Sequence, residues 1–279
     1  SIVLTGPLLA RMKRIIFPYP GGCVIGKRPI DLFLNGFKKM GATIEEKDGL
    51  FDIIAPGDGL RGAEIFFKNQ SVTATETFLM AGVLAKGKTV LKNCALEPEI
   101  ESLGSWLCRC GAKIEGLGTP TITIYGGDLL SGEGKTHQTM SDRIEAGSFI
   151  VLGALTAKDL LVKNCNPQHL DSLLNLLRES GINLEIGVDW VRVLGDNNGK
   201  LVAFDLKTHE YPGFPTDLQA PLCILLTQAE GQSYIFETIF EGRLNYLDAL
   251  DRMGAKVKIL DVHRAIIDGP TKLSGKEIV

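Results

Sequence analysis

The chain has no apolar run long enough to cross a bilayer. Runs such as 149–157 fall well short of the ~18 residues that a spanning helix needs. It has no basic stretch followed by an apolar segment and a cleavage site, so no secretion signal is expected. It has no excess of positive charge. Thirty Lys and Arg stand against 33 Asp and Glu, for a formal net charge of −3 and a pI of about 5.9. That balance argues against a general nucleic-acid footprint and leaves room for a local anion site. The six cysteines, at 23, 94, 108, 110, 165 and 223, form no CxxC pair and no Cys/His cluster with metal spacing. Cys108 and Cys110 make only a CxC inside a helical stretch, and the four histidines are scattered. Most of the cysteines lie in apolar helix or strand patterns, where the thiol behaves as a small hydrophobe. A reducing, cytoplasmic setting is expected, without structural metal or cofactor. No low-complexity segment and no initiator methionine is present, and the chain begins at Ser1 in mid-pattern, as a fragment would.

What the chain does have is an internal repeat. Its 279 residues, 44% apolar and 23% charged, suffice for about two domains with substantial cores. A Gly-Ala-x-(Ile/Val) signature recurs at Gly41-Ala42-Thr43-Ile44, Gly111-Ala112-Lys113-Ile114 and Gly254-Ala255-Lys256-Val257. Gly181-Ile182-Asn183-Leu184 is a looser copy, so the period is about 70 residues. The apolar face of the preceding helix repeats with it: Ile30, Phe33, Phe37 and Met40, then Ile100, Leu103, Leu107 and Cys110. Leu170, Leu173 and Leu177 follow, and last Tyr246, Leu250 and Met253. The glycine after each fits a left-handed C-cap.

A second helical pattern alternates with the first. Three copies open on a capping-box pair, Thr73 with Glu76, Asp142 with Glu145 and Thr216 with Gln219. They continue as runs apolar on most faces (78–84, 149–155 and 222–226), which predicts burial against a sheet. Residues 2–11 read as a further copy. A short strand follows each, at 15–17, 89–91, 160–162 and 233–236, and alternating strands follow the glycine signature, as at 121–125 and 190–194. Read with a permuted start the unit is βαβαββ, present four times, an α/β architecture of repeated modules. The seam is expected in the polar link 132–139, giving domains 1–137 and 138–279.

One stretch lies between the first strand and the second helix of its unit: Pro20-Gly21-Gly22-Cys23-Val24-Ile25-Gly26-Lys27-Arg28-Pro29-Ile30-Asp31-Leu32. Its glycines free the backbone on both sides of Cys23, and Pro29 suits the first position of a helix. Lys27 and Arg28 put positive charge near the thiol, and cations and a helix start both favour thiolate. On these residues alone the loop is either a lid carrying a reactive cysteine beside an anion site, or a glycine-rich connection whose cysteine is incidental.

This loop resembles that of the bacterial UDP-N-acetylglucosamine 1-carboxyvinyltransferases, enolpyruvyl transferases of the EPSP synthase superfamily. Ser71-Val72-Thr73-Ala74-Thr75-Glu76, Glu97-Pro98-Glu99-Ile100, Asp142-Arg143-Ile144-Glu145-Ala146-Gly147 and Pro212-Gly213-Phe214-Pro215-Thr216-Asp217-Leu218-Gln219 carry the resemblance along the chain. Phe240-Glu241-Gly242-Arg243 and Arg252-Met253-Gly254-Ala255 add to it. The resemblance implies an inside-out α/β barrel of two similar domains, each of three βαβαββ units. Four units are present, so the chain reads as the middle of such an enzyme, shortened at both ends, and as inactive by itself.

The implied reaction moves the enolpyruvyl group of phosphoenolpyruvate to the 3′-hydroxyl of UDP-N-acetylglucosamine and releases phosphate, the first committed step of peptidoglycan precursor synthesis. It needs a proton for the methylene carbon, a base for the sugar hydroxyl, and cations around phosphate and carboxylate. By resemblance Cys23 is the proton donor and the thiol that fosfomycin alkylates. Arg28 contacts phosphoenolpyruvate, with a fork suited to phosphate and carboxylate. Pro29, Ile30, Asp31 and Leu32 match the segment that holds the uridine, although Asp31 also suits a helix start through the dipole. Ser71 and Val72 match a nucleotide-contacting turn, where a helix start offers free N–H groups. Thr73 replaces a glycine there, Asn69-Gln70 replace Lys-Val, and Lys68 lies one place off. Asp217 matches the base at the attacking hydroxyl, or else it is simply a second-position acid in a capped helix. Ile239 matches an apolar contact to the sugar nucleotide, and Arg243 an arginine near the cleft. Phe33 replaces a histidine, which removes a polar contact on the uracil side. The loop then reads as a lid that brings Cys23 and Arg28 over a cleft, with Asp217 coming from a different repeat. Two other readings stand beside this one: a truncated, non-catalytic homologue, and the shikimate-pathway enolpyruvyl transferase, which shares the repeat without the cysteine loop. RNA 3′-phosphate cyclases share the βαβαββ unit, but nothing here resembles their nucleotide-transfer histidine motif.

Overall fold

All four signature glycines take a left-handed backbone, with φ of 89° at Gly41, 113° at Gly111, 90° at Gly181 and 101° at Gly254. A Cβ disfavours that region, so these positions stop one helix type and turn the chain into a strand. The computed structural model describes residues 1–21, 25, 30–156, 159–195 and 201–277. The chain divides into two compact units, Ser1–Cys23 with Arg28–Met140, and Val24–Lys27 with Ser141–Val279.

In the first unit, α1 (Thr5–Met12) leads to β1 (Arg14–Pro18), and α2 (Asp31–Lys39) to the hairpin β2 (Thr43–Lys47) and β3 (Leu50–Ile54). The three strands pair antiparallel in the order β1-β3-β2. The next repeat has a leading strand, β4 (Glu64–Phe66), then α3 (Val72–Gly82), β5 (Lys88–Lys92), α4 (Pro98–Arg109), β6 (Lys113–Glu115) and β7 (Thr121–Tyr125). β4 runs parallel to β5, and the sheet order is β4-β5-β7-β6. Ile30, Phe33, Phe37, Met40 and Ile100 are buried, as the helical spacing predicts, in a core that includes Phe67, Phe78 and Leu79 of this unit.

The second unit repeats the plan. α5 (Arg143–Thr156), β8 (Asp159–Lys163), α6 (Asp171–Glu179), β9 (Leu184–Ile186) and β10 (Trp190–Leu194) make a sheet ordered β8-β10-β9. β11 (Leu206–Lys207), α7 (Gln219–Leu226), β12 (Gly231–Phe236), α8 (Leu247–Arg252), β13 (Lys256–Ile259) and β14 (Arg264–Gly269) follow. Their sheet is ordered β11-β12-β14-β13, with only the β11–β12 pair parallel. Among the described residues the leading parallel strand of the βαβαββ unit is thus present in two of the four copies.

One local expectation is corrected. The cap of α3 is Ser71, whose hydroxyl accepts from the Ala74 N–H at 3.3 Å, so Thr73 lies inside the helix. Asp142 does cap α5, accepting from the Ile144 and Glu145 N–H groups at 2.8 and 3.0 Å. The run 149–155 is buried on most faces, as expected, with Ile150, Val151, Gly153 and Ala154 inside. α5 packs against α7, β8 and β10, and Phe149 and Leu152 each stay 50% exposed.

Candidate functional site

In the second unit, two segments distant in sequence bring a carboxylate and a cation together. The first is 212–219. The His209 N–H donates to the carbonyl of buried Phe214 at 2.9 Å, which closes the chain after β11 into a short turn. A 3-10 turn, Thr216–Leu218, follows. Leu218 anchors it. The side chain is fully buried, and its Cδ1 sits where a Cβ on Gly147 of α5 would lie only 2.6 Å away. A side chain at 147 would force that anchor to shift. Asp217, one residue before it, remains exposed.

The second segment runs from Glu237 to Arg243. The Glu237 N–H donates to the His263 carbonyl at 2.8 Å. The Thr238 hydroxyl donates to the Thr208 carbonyl at 2.7 Å, and the Thr238 N–H to the Thr208 hydroxyl oxygen at 2.9 Å. The segment is thereby tied to the strand ends on either side of β12. Ile239 is partly buried within it. Arg243 opens a 3-10 turn, Arg243–Tyr246, and its Nη2 donates to Asp217 Oδ1 at 2.6 Å. The arginine side chain is 16% exposed and the aspartate 58%. A sheltered guanidinium thus holds one oxygen of an open carboxylate, a charge-assisted contact. Among the described residues Asp217 Oδ2 has no hydrogen bond. Such a pair can offer a fork to an anionic group and a basic oxygen to a hydroxyl proton.

The Thr216 and Gln219 side chains do not form the expected capping box. The Thr216 hydroxyl donates to Glu237 Oε2 at 2.9 Å, and Gln219 Nε2 donates to the same oxygen at 2.8 Å. A fully buried carboxylate competes with the helix end for both side chains and takes them. Sequence reading missed Glu237. Its only signal is a charged residue at the end of an apolar strand, two residues before Ile239.

The remaining candidates lie in the first unit or outside the described residues. Cys23, Arg28 and Pro29 lie outside them. Ile30 is buried at the start of α2, its carbonyl accepting from Phe33 and Leu34 N–H groups at 2.9 and 3.1 Å. Asp31 is the exposed first residue of that helix, and Leu32 is partly buried. Phe33 is buried against Phe78, so at this position the side chain serves the core. Lys68 is exposed, and Ser71 and Val72 begin α3. The Ser71 hydroxyl is engaged in capping, which leaves the Val72 and Thr73 N–H groups without an intrahelical acceptor at the positive end of the helix.

On the same helix, burial and then the neighbouring Glu99 and Glu97 charges push the Glu76 carboxyl up from its ordinary range. Its folded pKa therefore exceeds its unfolded one. The destabilisation is absent below the unfolded pKa and complete above the folded pKa. Glu76→Gln is expected to raise Tm at pH 7 and to leave it unchanged near pH 3, below the ordinary glutamate range. Thermal melts of parent and variant at the two pH values check this; equal gains at both would contradict it.

The described cysteines are all free thiols. Burial pushes Cys94 and Cys223 up to about 12 and also raises Cys165. None of these three is a ready thiolate. No group of three or more potential metal ligands occurs among the described residues, and no helix there is long and apolar enough to cross a membrane.

The sequence pattern of EPSP synthase (3-phosphoshikimate 1-carboxyvinyltransferase) matches residues 1–279. The chain is 47% identical over 279 residues to UDP-N-acetylglucosamine 1-carboxyvinyltransferase of Koribacter versatilis (strain Ellin345), covering all of this chain and 63% of that one. The same-named protein of Solibacter usitatus (strain Ellin6076) is 46% identical over 280 residues, with 66% of its length covered. This chain thus spans a little under two thirds of the length of these curated relatives. Among solved structures, the enolpyruvyl transferase NikO from Streptomyces tendae superposes with a TM-score of 0.78 at 22% identity, over 97% of this chain and 63% of that one. EPSP synthase from Acinetobacter baumannii gives 0.65 at 23% identity, over 98% and 63%. These likenesses show the fold, the inside-out α/β fold of enolpyruvyl transferases. With four copies of one α/β repeat and a family pattern matched from end to end, the chain belongs to the EPSP synthase (3-phosphoshikimate 1-carboxyvinyltransferase) family.

Proposed function

We propose that the full-length protein containing this chain transfers the enolpyruvyl group of phosphoenolpyruvate to the 3′-hydroxyl of UDP-N-acetylglucosamine, with release of phosphate. The observation that carries this reading is the Asp217–Arg243 pair, a basic oxygen beside a guanidinium on the segment 212–219. Relatives named for this reaction, at 44–47% identity, support the choice of acceptor.

Two events make up the chemistry. The 3′-hydroxyl oxygen attacks C2 of phosphoenolpyruvate while a proton arrives at C3, giving a tetrahedral adduct. The C2–O bond to phosphate then breaks as a proton leaves C3. In this scheme Asp217 takes the hydroxyl proton, and Arg243 and Arg28 hold anionic groups. Cys23 delivers the C3 proton. Ile239 covers the sugar, and 29–32 with Lys68, Ser71 and Val72 hold the nucleotide. Cys23 is also the nucleophile that opens the fosfomycin epoxide. The reaction needs no metal or cofactor. The chain is read as two domains, 1–137 and 138–279. The step belongs to peptidoglycan precursor synthesis and cell wall biogenesis, and so to cell shape, cell cycle and cell division. We place it in a reducing cytoplasm, a setting that the free thiols support.

The test is phosphate release by the full-length protein. Release is expected from phosphoenolpyruvate only when UDP-N-acetylglucosamine is present. Release with shikimate 3-phosphate instead would transfer the assignment to the shikimate-pathway reaction, and release with neither would leave a non-catalytic homologue.

A further inference from the structure

Glu237 is the one fully buried carboxylate among the described residues, with 0% exposure. A buried charge is costly unless it is paired or hydrogen-bonded. Its four donors are all neutral. Oε2 accepts from the Thr216 hydroxyl at 2.9 Å and from Gln219 Nε2 at 2.8 Å. Oε1 accepts from the Ile239 and Phe240 N–H groups at 2.8 and 3.1 Å. The two oxygens therefore hold two different segments. Thr216 and Gln219 flank Asp217 in its turn, and Ile239 and Phe240 begin the loop that ends at Arg243. One carboxylate sets the spacing of the Asp217–Arg243 pair from behind.

The clamp continues inward. Gln219 Oε1 accepts from the Tyr246 hydroxyl at 2.8 Å, so both ends of that amide are engaged and its orientation is determined. Tyr246 is largely buried, and burial pushes its hydroxyl well above the usual phenol range. It therefore remains a donor and holds the amide as drawn. Neither Glu237, Gln219 nor Tyr246 is needed as an acid or base in the proposed chemistry.

We propose that Glu237 is a positioning residue for Asp217. It acts through the Thr216 and Gln219 contacts to aim the open carboxylate at the acceptor hydroxyl. This rests on the functional reading above. In Glu237→Gln one acceptor becomes an NH2 donor. Two donors on one side of the clamp then face a third, and the turn or the loop must move. Misplacement of a reacting group by about 1 Å can cost about 10²-fold in rate.

The experiment is a double-mutant cycle in the full-length protein, with Glu237→Gln, Asp217→Asn and the pair, read as kcat and as KM for both substrates. Glu237→Gln is expected to lower kcat about 10²-fold with KM changed less than about fivefold, and to cost less than about twofold more once Asp217 is asparagine. A kcat within about threefold of the parent, or a full additional loss in the Asp217→Asn background, would overturn the proposal, because a merely structural residue does not act through Asp217. If Glu237→Gln does not fold, Thr216→Val removes one donor and keeps the charge; about a threefold to tenfold loss, again absent in the Asp217→Asn background, is then expected. Wild-type protein without the proposed activity would sink the functional reading separately. The clamp is then read by NMR from exchange of the Arg243 Nε–H, expected to be faster in Glu237→Gln or Thr216→Val; unchanged exchange would overturn it.

Discussion

Replacing Cys23 with alanine in the full-length protein is expected to abolish phosphate release, a loss of at least about 10²–10⁴-fold, the range for removing a positioned general acid. The argument begins with supply. Protonating the methylene carbon of phosphoenolpyruvate needs a donor beside a cationic site. In this chain the only cysteine bracketed by glycines and followed by Lys27 and Arg28 is Cys23. Three others, Cys94, Cys165 and Cys223, are buried thiols held protonated by their surroundings. The same cations that favour the Cys23 thiolate attract a phosphonate. Fosfomycin is therefore expected to add whole, through ring opening and formation of one S–C bond, at that residue. Peptide mass mapping locates the adduct. Adduct on another cysteine, or undiminished turnover in Cys23→Ala, would refute the assignment.

Asp217→Asn should be nearly as damaging to kcat, about 10²–10⁴-fold, but for a different reason. Asparagine keeps the size of the side chain and an oxygen for Arg243 Nη2, which lies 2.6 Å from Oδ1 in the parent. The turn is seated by buried Leu218 against Gly147, not by Asp217, so the fold is expected to persist. What is lost is the oxygen that takes a proton. A large fall in kcat with KM for UDP-N-acetylglucosamine within about fivefold would fit loss of a transition-state interaction. A rise in KM alone would make Asp217 a binding residue only. Steady-state kinetics with circular dichroism of parent and variant decides between them.

Much of this protein was legible before its structure. The four signature glycines announced left-handed helix ends, and all four have φ between 89° and 113°. The spacing of Ile30, Phe33, Phe37 and Met40 announced a buried helix face, and all four are buried. These are local matters: which residues lie on one side of a helix, or tolerate positive φ, follows from a few neighbouring positions. The side-chain partners were less legible. Thr216 and Gln219 have the spacing of a capping box, but their donors go to Glu237, 21 and 18 residues away. Thr73 has the spacing of a cap, but Ser71 takes the role. Phe149 and Leu152 belong to an apolar run, yet half of each is exposed.

The cysteine loop and the repeat could be read along the chain, and Asp217 and Arg243 were singled out there only through the resemblance. That Asp217 and Arg243 touch across 26 residues, and that a buried carboxylate holds both of their segments, came from the folding of β11, β12 and β14 into one sheet. Helical periodicity is written in contacts three and four residues apart. A polar side chain chooses its partner by what long-range packing brings within about 3 Å, and a buried anion outbids a helix end because leaving it unsatisfied costs more.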